Sequence, residues 1–230
     1  MTFLVLLASM VLIRLGLWQV ERYYIRQNFN ANYIKATQLP VIDISKNIND
    51  ITGDMEYRKV KIKGAFDNDH SIVRLNQYVD SRLGYSLLTP LILSDGTAVM
   101  IDRGWIPAEG NGTRQDWLKY AVDGEISLSG IIRRSINIEK KDISKRPEFW
   151  IDFDKDQVQQ LYEYQLSPVF IQVFPTNNQT EPPLPMIATV EITDGPHAGY
   201  ALQWFTFALI LLLGYPFFLK TTEAQKNANK

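Results

Sequence analysis

From Ala198 to Leu219 the chain reads AGYALQWFTFALILLLGYPFFL, about 22 residues without a formal charge. An α-helix needs roughly 20 apolar residues to cross the hydrocarbon core of a bilayer. Helices buried in soluble domains are rarely as long or as uniformly apolar. The run therefore predicts one membrane-spanning helix near the carboxyl end. A second apolar run, Met1 to about Val20, opens the sequence and carries Arg14. A charge near the centre of a span costs ~2.5–3.5 kcal/mol on insertion scales. Arg14 lies toward one end of the run, where its long stem lets the guanidinium reach the interface. A cleaved signal peptide is the competing reading. No basic residue precedes the run and no small-residue cleavage pattern follows it. LWQVERYY instead sets aromatics at the interface with charges beyond them, so an uncleaved anchor is expected.

Spans at residues 1–20 and 198–219 put both termini on the same side. The tail 220–230 has Lys220, Lys226 and Lys230 against Glu223, which favours the cytoplasmic side. Arg22, Arg26 and Lys35 follow the first span on the opposite side and conflict with that orientation. The rule weakens for long translocated domains, so the short tail decides. The expected protein has two passes, cytoplasmic termini and residues 28–195 folded outside, with the lipid bilayer as a permanent partner.

Between the anchors no repeat or low-complexity tract appears. Tyr57 to Phe66 alternates Val60 and Ile62 with Lys59, Lys61 and Lys63, the pattern of a half-solvated antiparallel strand. Ser71–Leu75, Tyr85–Leu93, Thr97–Arg103, Ile126–Arg133, Val169–Phe174 and Ile187–Ile192 also read as strands. Turns are expected at Asp69-His70 and at Ser94-Asp95-Gly96, the latter closing a hairpin. Asp154 to Tyr164 and Arg114 to Tyr120 have helical features, and Pro182, Pro183 and Pro185 mark a loop. The expectation is an α+β domain, mostly antiparallel β and sandwich- or barrel-like, whose strand order does not follow from the sequence.

Composition removes several function classes. The net charge is −1, giving no basic field to attract nucleic acid. There is no cysteine, so disulfides, thiolate nucleophiles, Cys-ligated haem and thiol-type copper chaperoning are excluded. Only His70 and His197 are available as imidazoles, too few for a protein-only histidine site. No phosphate loop, nucleophile elbow or acid–base pair of recognisable spacing occurs, so no enzyme is expected. Asn111-Gly112-Thr113 and Asn178-Gln179-Thr180 fit the glycosylation sequon, a tripeptide that often arises by chance.

The remaining polar and aromatic residues gather where the spans leave the bilayer. Leu15, Gly16, Trp18, Gln19 and Arg22 end the first span, and His197, Tyr200, Gln203 and Trp204 begin the second. Two passes place both groups at one membrane face. On a helix His197, Tyr200, Ala201 and Trp204 share a side, and Trp18 and Arg22 are one turn apart. Gln19 and Gln203 are polar groups near hydrocarbon and need partners. Trp18, Arg22 and Tyr200 also suit the ordinary role of interfacial anchors. His197, after Gly195-Pro196, is either a helix-start residue or a ligand, neutral imidazole being the commonest metal and haem ligand. His70, in a polar turn, reads as surface.

Four segments carry a family resemblance. LGLWQVER (Leu15–Arg22), GYSLLTPLIL (Gly84–Leu93), VMIDRGWIP (Val99–Pro107) and HAGYALQWFTFA (His197–Ala208) resemble, in order, motifs of the surfeit locus protein 1 family. The resemblance implies an assembly factor for haem–copper cytochrome c oxidase, without catalytic activity, in the inner membrane of a bacterium with its domain on the periplasmic side. It implies transient handling of haem a for the largest oxidase subunit, with haem a synthesis enzymes as further partners. His197 matches the histidine implicated in haem binding, as ligand to the haem iron. Tyr200, Gln203, Trp204, Trp18 and Arg22 are the neighbouring candidates. Arg103, Gly104 and Trp105 either pin the domain to a membrane or haem edge, or form a buried arginine bonded to a turn with Gly104 at an unusual backbone angle. A scaffold that holds an oxidase intermediate without touching haem is the alternative reading. Family members have a leading segment that this sequence lacks, so a truncated start is expected, and Arg14 within the span is a second departure.

Overall fold

The computed structural model describes residues 2–45, 55–136, 146–176, 179–187 and 190–228. The chain divides into two compact units, Met1–Ile34 with Val190–Lys230, and Lys35–Thr189.

The first unit is built on two helices, α1 (Thr2–Gln38) and α4 (His197–Ala228). Both are long and apolar enough to cross a membrane. The buried residues Ser9, Gly16, Gln19 and Asn30 of α1 and Ala201 and Ala208 of α4 are small or polar. Leu4, Met10, Leu17, Leu202, Leu209 and Phe217 are exposed. This is the inverse of a soluble helix pair, and it is the distribution expected where the solvent is apolar and helices meet through small residues. Gly16 shows the fit: a Cβ there would stand 2.5 Å from Phe205 Cε1.

The second unit is a closed barrel with additions. Its strands are β1 (Ile42–Asp43), β2 (Lys59–Phe66), β3 (Ile72–Val79), β4 (Arg82–Ile92), β5 (Ala98–Pro107), β6 (Glu125–Arg134), β7 (Phe149–Trp150) and β8 (Leu166–Val173). They order as β1-β2-β6-β8-β5-β4-β3-β7, and a further pairing of β2 with β4 closes the five strands β2-β6-β8-β5-β4 into a ring. That closure rests on Ala65 opposite Ile92 and Phe66 opposite Leu91. All ring pairings are antiparallel except β5 with β8.

Every ring strand contributes to the interior. Val60 and Ile62, Leu91, Val99 and Ile101, Ile132, and Val169 and Ile171 form one buried cluster. The lysines of β2 alternate with that cluster and remain outside, as their spacing predicts. β5 is buried on both faces, because Ala98 and Met100 pack outward against Ile72, Trp150, Phe153 and Phe170. A strand covered on both sides reads as a continuous apolar run, which is what AVMI is. Two short helices follow their sequence signals. Asp154 caps α3 (Lys155–Val158) by accepting from the N–H groups of Asp156 and Gln157. The Asp116 carboxylate accepts from Thr113 N–H at 2.9 Å at the start of α2 (Arg114–Trp117).

The structure corrects the expected strand Ile187–Ile192. Ile187 and residues 190–192 are not in a strand, and residues 188 and 189 lie outside the described residues. The carbonyls of Glu191 and Thr193 accept from Arg26 of α1, so this backbone bonds within the helical unit instead of a sheet ladder. The barrel form settles the choice between sandwich and barrel. The β3–β4 hairpin, turning through Asp80 and Ser81 at φ 49° and 62°, had no glycine or asparagine to announce it.

Candidate functional site

His197 is the first residue of α4 and Gln19 lies about five turns along α1 from its start. The two meet: His197 Nδ1 and Gln19 Oε1 are 2.8 Å apart. An amide oxygen only accepts, so Nδ1 carries the proton and donates. Nε2 then keeps its lone pair, the tautomer an imidazole needs to ligate iron. The polar Gln19, buried near an apolar stretch, has its partner.

A second polar pair marks the far end of the helices, where Thr2 Oγ1 and Tyr215 Oη lie 3.0 Å apart. Seventeen residues of α1 separate Thr2 from Gln19, about 26 Å at 1.5 Å per residue. That is close to the ~30 Å of a hydrocarbon core. Beyond Gln19, Arg26 donates Nε to the Thr193 carbonyl at 3.0 Å and Nη2 to the Glu191 carbonyl at 2.5 Å. Asn30 Nδ2 donates to the same Thr193 oxygen at 3.0 Å. The segment entering α4 is thereby fastened to α1.

Beside His197 is an open cavity of about 460 Å³, lined by Arg22, Ile25, Arg26, Phe29, Thr193 and Gly195 as well as the histidine. Of the sequence candidates it gathers His197 and Arg22. Trp18 and Tyr200 are largely exposed on their helices, Gln203 is exposed, and Trp204 stands edge-on to Phe207 at 6.2 Å. None of these four lines the cavity. Ile25, Arg26 and Phe29 were not singled out from the sequence. The available signal was the spacing of residues 22, 25, 26 and 29, one face of a helix that continues past the apolar run.

The other candidate cluster lies in the barrel. Arg103 is buried, donates Nη2 to the Tyr120 carbonyl and stacks over Phe66 at 4.7 Å. Burial pulls its pKa down from 12.5 to about 10. Gly104 sits at φ +116°, where a Cβ would collide with the Leu184 backbone. Trp105 and Leu184 exchange backbone hydrogen bonds of 2.7 and 2.8 Å across that gap. His70 is half-exposed and bonded to Asp67 at 2.8 Å. In the first sequon Asn111 is fully buried, its Nδ2 donating to Pro107 and Glu109 carbonyls. Asn178 lies outside the described residues. Among the described residues no cluster of three or more acidic or imidazole side chains has metal-ligand spacing.

Comparison with known proteins decides the relationship. Residues 6–209 match the model of the SURF1 family, a span that includes both candidate clusters. The chain belongs to the SURF1 family. A SURF1-like protein of Rickettsia bellii is 24% identical over 229 residues, covering 96% of this chain and 91% of its own length. One of Drosophila melanogaster is 24% identical, covering 84% of this chain and 69% of its own. The cytochrome oxidase assembly protein SHY1 of Saccharomyces cerevisiae is 34% identical over 97 residues, 41% of this chain and 25% of its own. The family that the four sequence motifs resemble is therefore the family of the chain, and bacterial members are among its relatives.

Proposed function

We propose that this SURF1-family chain is a two-pass membrane protein that assists assembly of cytochrome c oxidase and holds haem a transiently at the outer ends of its helices. The observation that carries the haem reading is the His197–Gln19 hydrogen bond, which joins the helices and leaves Nε2 of His197 free to coordinate. Arg22, exposed at the adjacent cavity, would pair with a propionate, while Ile25 and Phe29 supply apolar contact for the macrocycle. Arg26 is already committed to two backbone carbonyls and serves to keep the wall in place. One imidazole would give a bound haem a single protein ligand, which suits cargo that must be released. The name of the yeast relative supports the oxidase, and the largest subunit, which accepts haem, is the proposed recipient. Haem a synthesis enzymes are proposed as donors. No catalytic step is assigned.

The lysine-bearing tail 220–230 supports cytoplasmic termini, and the inner membrane of a bacterium is the proposed location. The barrel, lying between the two passes in sequence, then belongs on the periplasmic side. The test is the visible spectrum of the protein purified in detergent from cells making haem a, beside His197→Ala. The expected result is a Soret band near one haem per chain that the substitution removes. Absence of haem from both proteins, or equal haem in both, would replace this reading with the scaffold that never touches haem.

A further inference from the structure

The barrel unit contains a cavity of about 530 Å³ that the helix-end site does not use. Its lining is mostly apolar, with Phe66 at the end of β2, Ile126 and Leu128 of β6, Val173 of β8, and Phe174 and Pro183 beyond. Arg103 is the one charged side chain among the lining residues. It is 9% exposed, and among the described residues its guanidinium makes a single hydrogen bond, to the Tyr120 carbonyl. Among the described residues no carboxylate pairs with it, and burial lowers its pKa to about 10. Arg74 and Arg133 in the same unit are less buried, yet each pairs with an acid, Asp102 and Glu56 respectively. A guanidinium has five N–H donors, so among the described residues Arg103 lines the cavity with most of its hydrogen-bonding capacity unused and no acid beside it.

The wall that carries Pro183 and Pro185 is held by hydrogen bonds. The strap around Leu184 is bonded to Trp105, and Gly104 gives it room to lie on β5. Gln179 Nε2 donates to the Pro183 carbonyl at 2.5 Å, and Thr176 Oγ1 donates to Gln179 Oε1 at 2.9 Å. A volume of this size is typical of small-molecule pockets, which combine apolar walls with a few polar groups. One planar cation without a second matches one planar carboxylate; a phosphate dianion would leave a charge uncompensated in an apolar cavity.

We propose that this cavity binds a small apolar molecule ending in a carboxylate, with the acid paired to Arg103 and the body against Phe66, Leu128 and Phe174. The carboxylate belongs either to an acyl chain or to a propionate of a tetrapyrrole. The proposal does not depend on haem coordination at His197.

The experiment titrates full-length protein in nanodiscs with 3-phenylpropionate labelled with ¹³C at the carboxyl, followed by NMR, with empty nanodiscs as the partition control. Saturable binding is expected, and the neutral 3-phenylpropionamide should bind at least tenfold more weakly to the unaltered protein. Arg103→Met should abolish binding and Arg103→Lys retain part of it. Val122→Trp, at the exposed rim, should block the cavity with the circular dichroism unchanged. Displacement by dodecanoate at lower concentration than protoporphyrin IX supports an acyl-chain ligand, and the reverse order a tetrapyrrole propionate. Non-saturable association, or equal affinity for acid and amide, overturns the proposal.

Discussion

Among the described residues two cavities are lined by arginine, and they use it differently. At the helix ends, Arg26 spends its donors on the carbonyls of Glu191 and Thr193, and Arg22 beside it is exposed. In the barrel, Arg103 is buried with one carbonyl partner and no acid among the described residues. The first arrangement is a fastening with a solvated cation next to it. In the second the cation is mostly shielded from solvent by the barrel, so a carboxylate arriving there meets a charge less screened than one at the surface. The contrast extends to the surrounding units. The helical unit buries small and polar residues and exposes apolar ones, whereas the barrel buries Val, Ile, Leu and aromatic side chains. A substitution should therefore act through collision or lost packing in the barrel, and through lost polar contacts between the helices.

The largest expected effect is Gly104→Val. Its Cβ would strike the Leu184 backbone at a φ of +116° that branched side chains avoid, so the strap must leave β5. A loss of about 3 kcal/mol or more is expected for the barrel, read by urea unfolding through the buried Trp105, Trp117 and Trp150. Gly96→Val is the control, because Gly96 has φ +81° but open space around it. It should cost only about 1–2 kcal/mol, the backbone strain alone. Equal losses at the two glycines would mean that the strap contact contributes nothing.

Next is Asp102→Ala in the barrel. The buried Asp102 carboxylate accepts from Ser86 Oγ, from Gln172 Nε2 at 3.2 Å and from Gly104 N–H at 3.1 Å, and pairs with Arg74 at 3.4 Å. Removing it strands those donors, and a loss of about 2–4 kcal/mol is expected in the same unfolding measurement. A variant within 0.5 kcal/mol of the parent, on the scale of an ordinary surface change, would show that the network is not maintained in solution.

These two sites also show what the sequence discloses. Val60 and Ile62 alternating with lysines fixed the face of β2 that points inward, because period-two burial is a local property. The order of the strands was not readable, because ring closure depends on two residue pairs between β2 and β4 and on a parallel match of β5 with β8, sixty or more residues apart. Ile187–Ile192 reads as a strand, but its residue types do not reveal that the Glu191 carbonyl, and that of Thr193 just beyond, bond to an arginine on a helix. At the helix ends, His197 stood out by scarcity and Gln19 by polarity among apolar neighbours. Arg26 and Phe29 did not, since an amphipathic helix past an apolar run gives no chemical signature. The Arg103 cavity was half legible. Arg-Gly-Trp suggested a buried arginine beside a glycine of unusual backbone angle, but its walls come from β2, β6 and the segment after β8.

In the helical unit the expected effect is smaller. Gln19→Leu removes the acceptor of His197 Nδ1 and should weaken helix association by about 0.6–1 kcal/mol, the usual worth of such a bond between membrane helices. Its sharper consequence is for the proposed haem site, since an imidazole without its partner is free to rotate and to change tautomer. Haem recovered with Gln19→Leu should fall several-fold while the far-ultraviolet circular dichroism stays unchanged. Gln19→Glu, which keeps an acceptor, should restore it. Undiminished haem in the leucine variant would show that the hydrogen bond does not orient a ligand.

The smallest effect sharpens the comparison from the barrel side, where burial shifts a titration without creating a site. Desolvation, followed by the hydrogen bond and charge of Asp67, pushes the Tyr164 phenol above its ordinary value, and desolvation raises Tyr162 as well. A raised phenol pKa means that the folded chain holds its proton more tightly than the unfolded chain, whose tyrosines titrate near 10. The stabilisation is fully present below about pH 10 and declines as the pH rises past that value, because the unfolded state is the first to ionise. Tyr164→Phe should cost about 0.5 kcal/mol at pH 7, where it loses the 2.9 Å bond to Asp67. The parent should lose that advantage between about pH 10 and 11, so the urea midpoints of the two proteins converge. Parallel midpoints across that range would place the alkaline sensitivity elsewhere, with Tyr162, whose hydroxyl donates to the His70 carbonyl at 2.9 Å, the next group to replace.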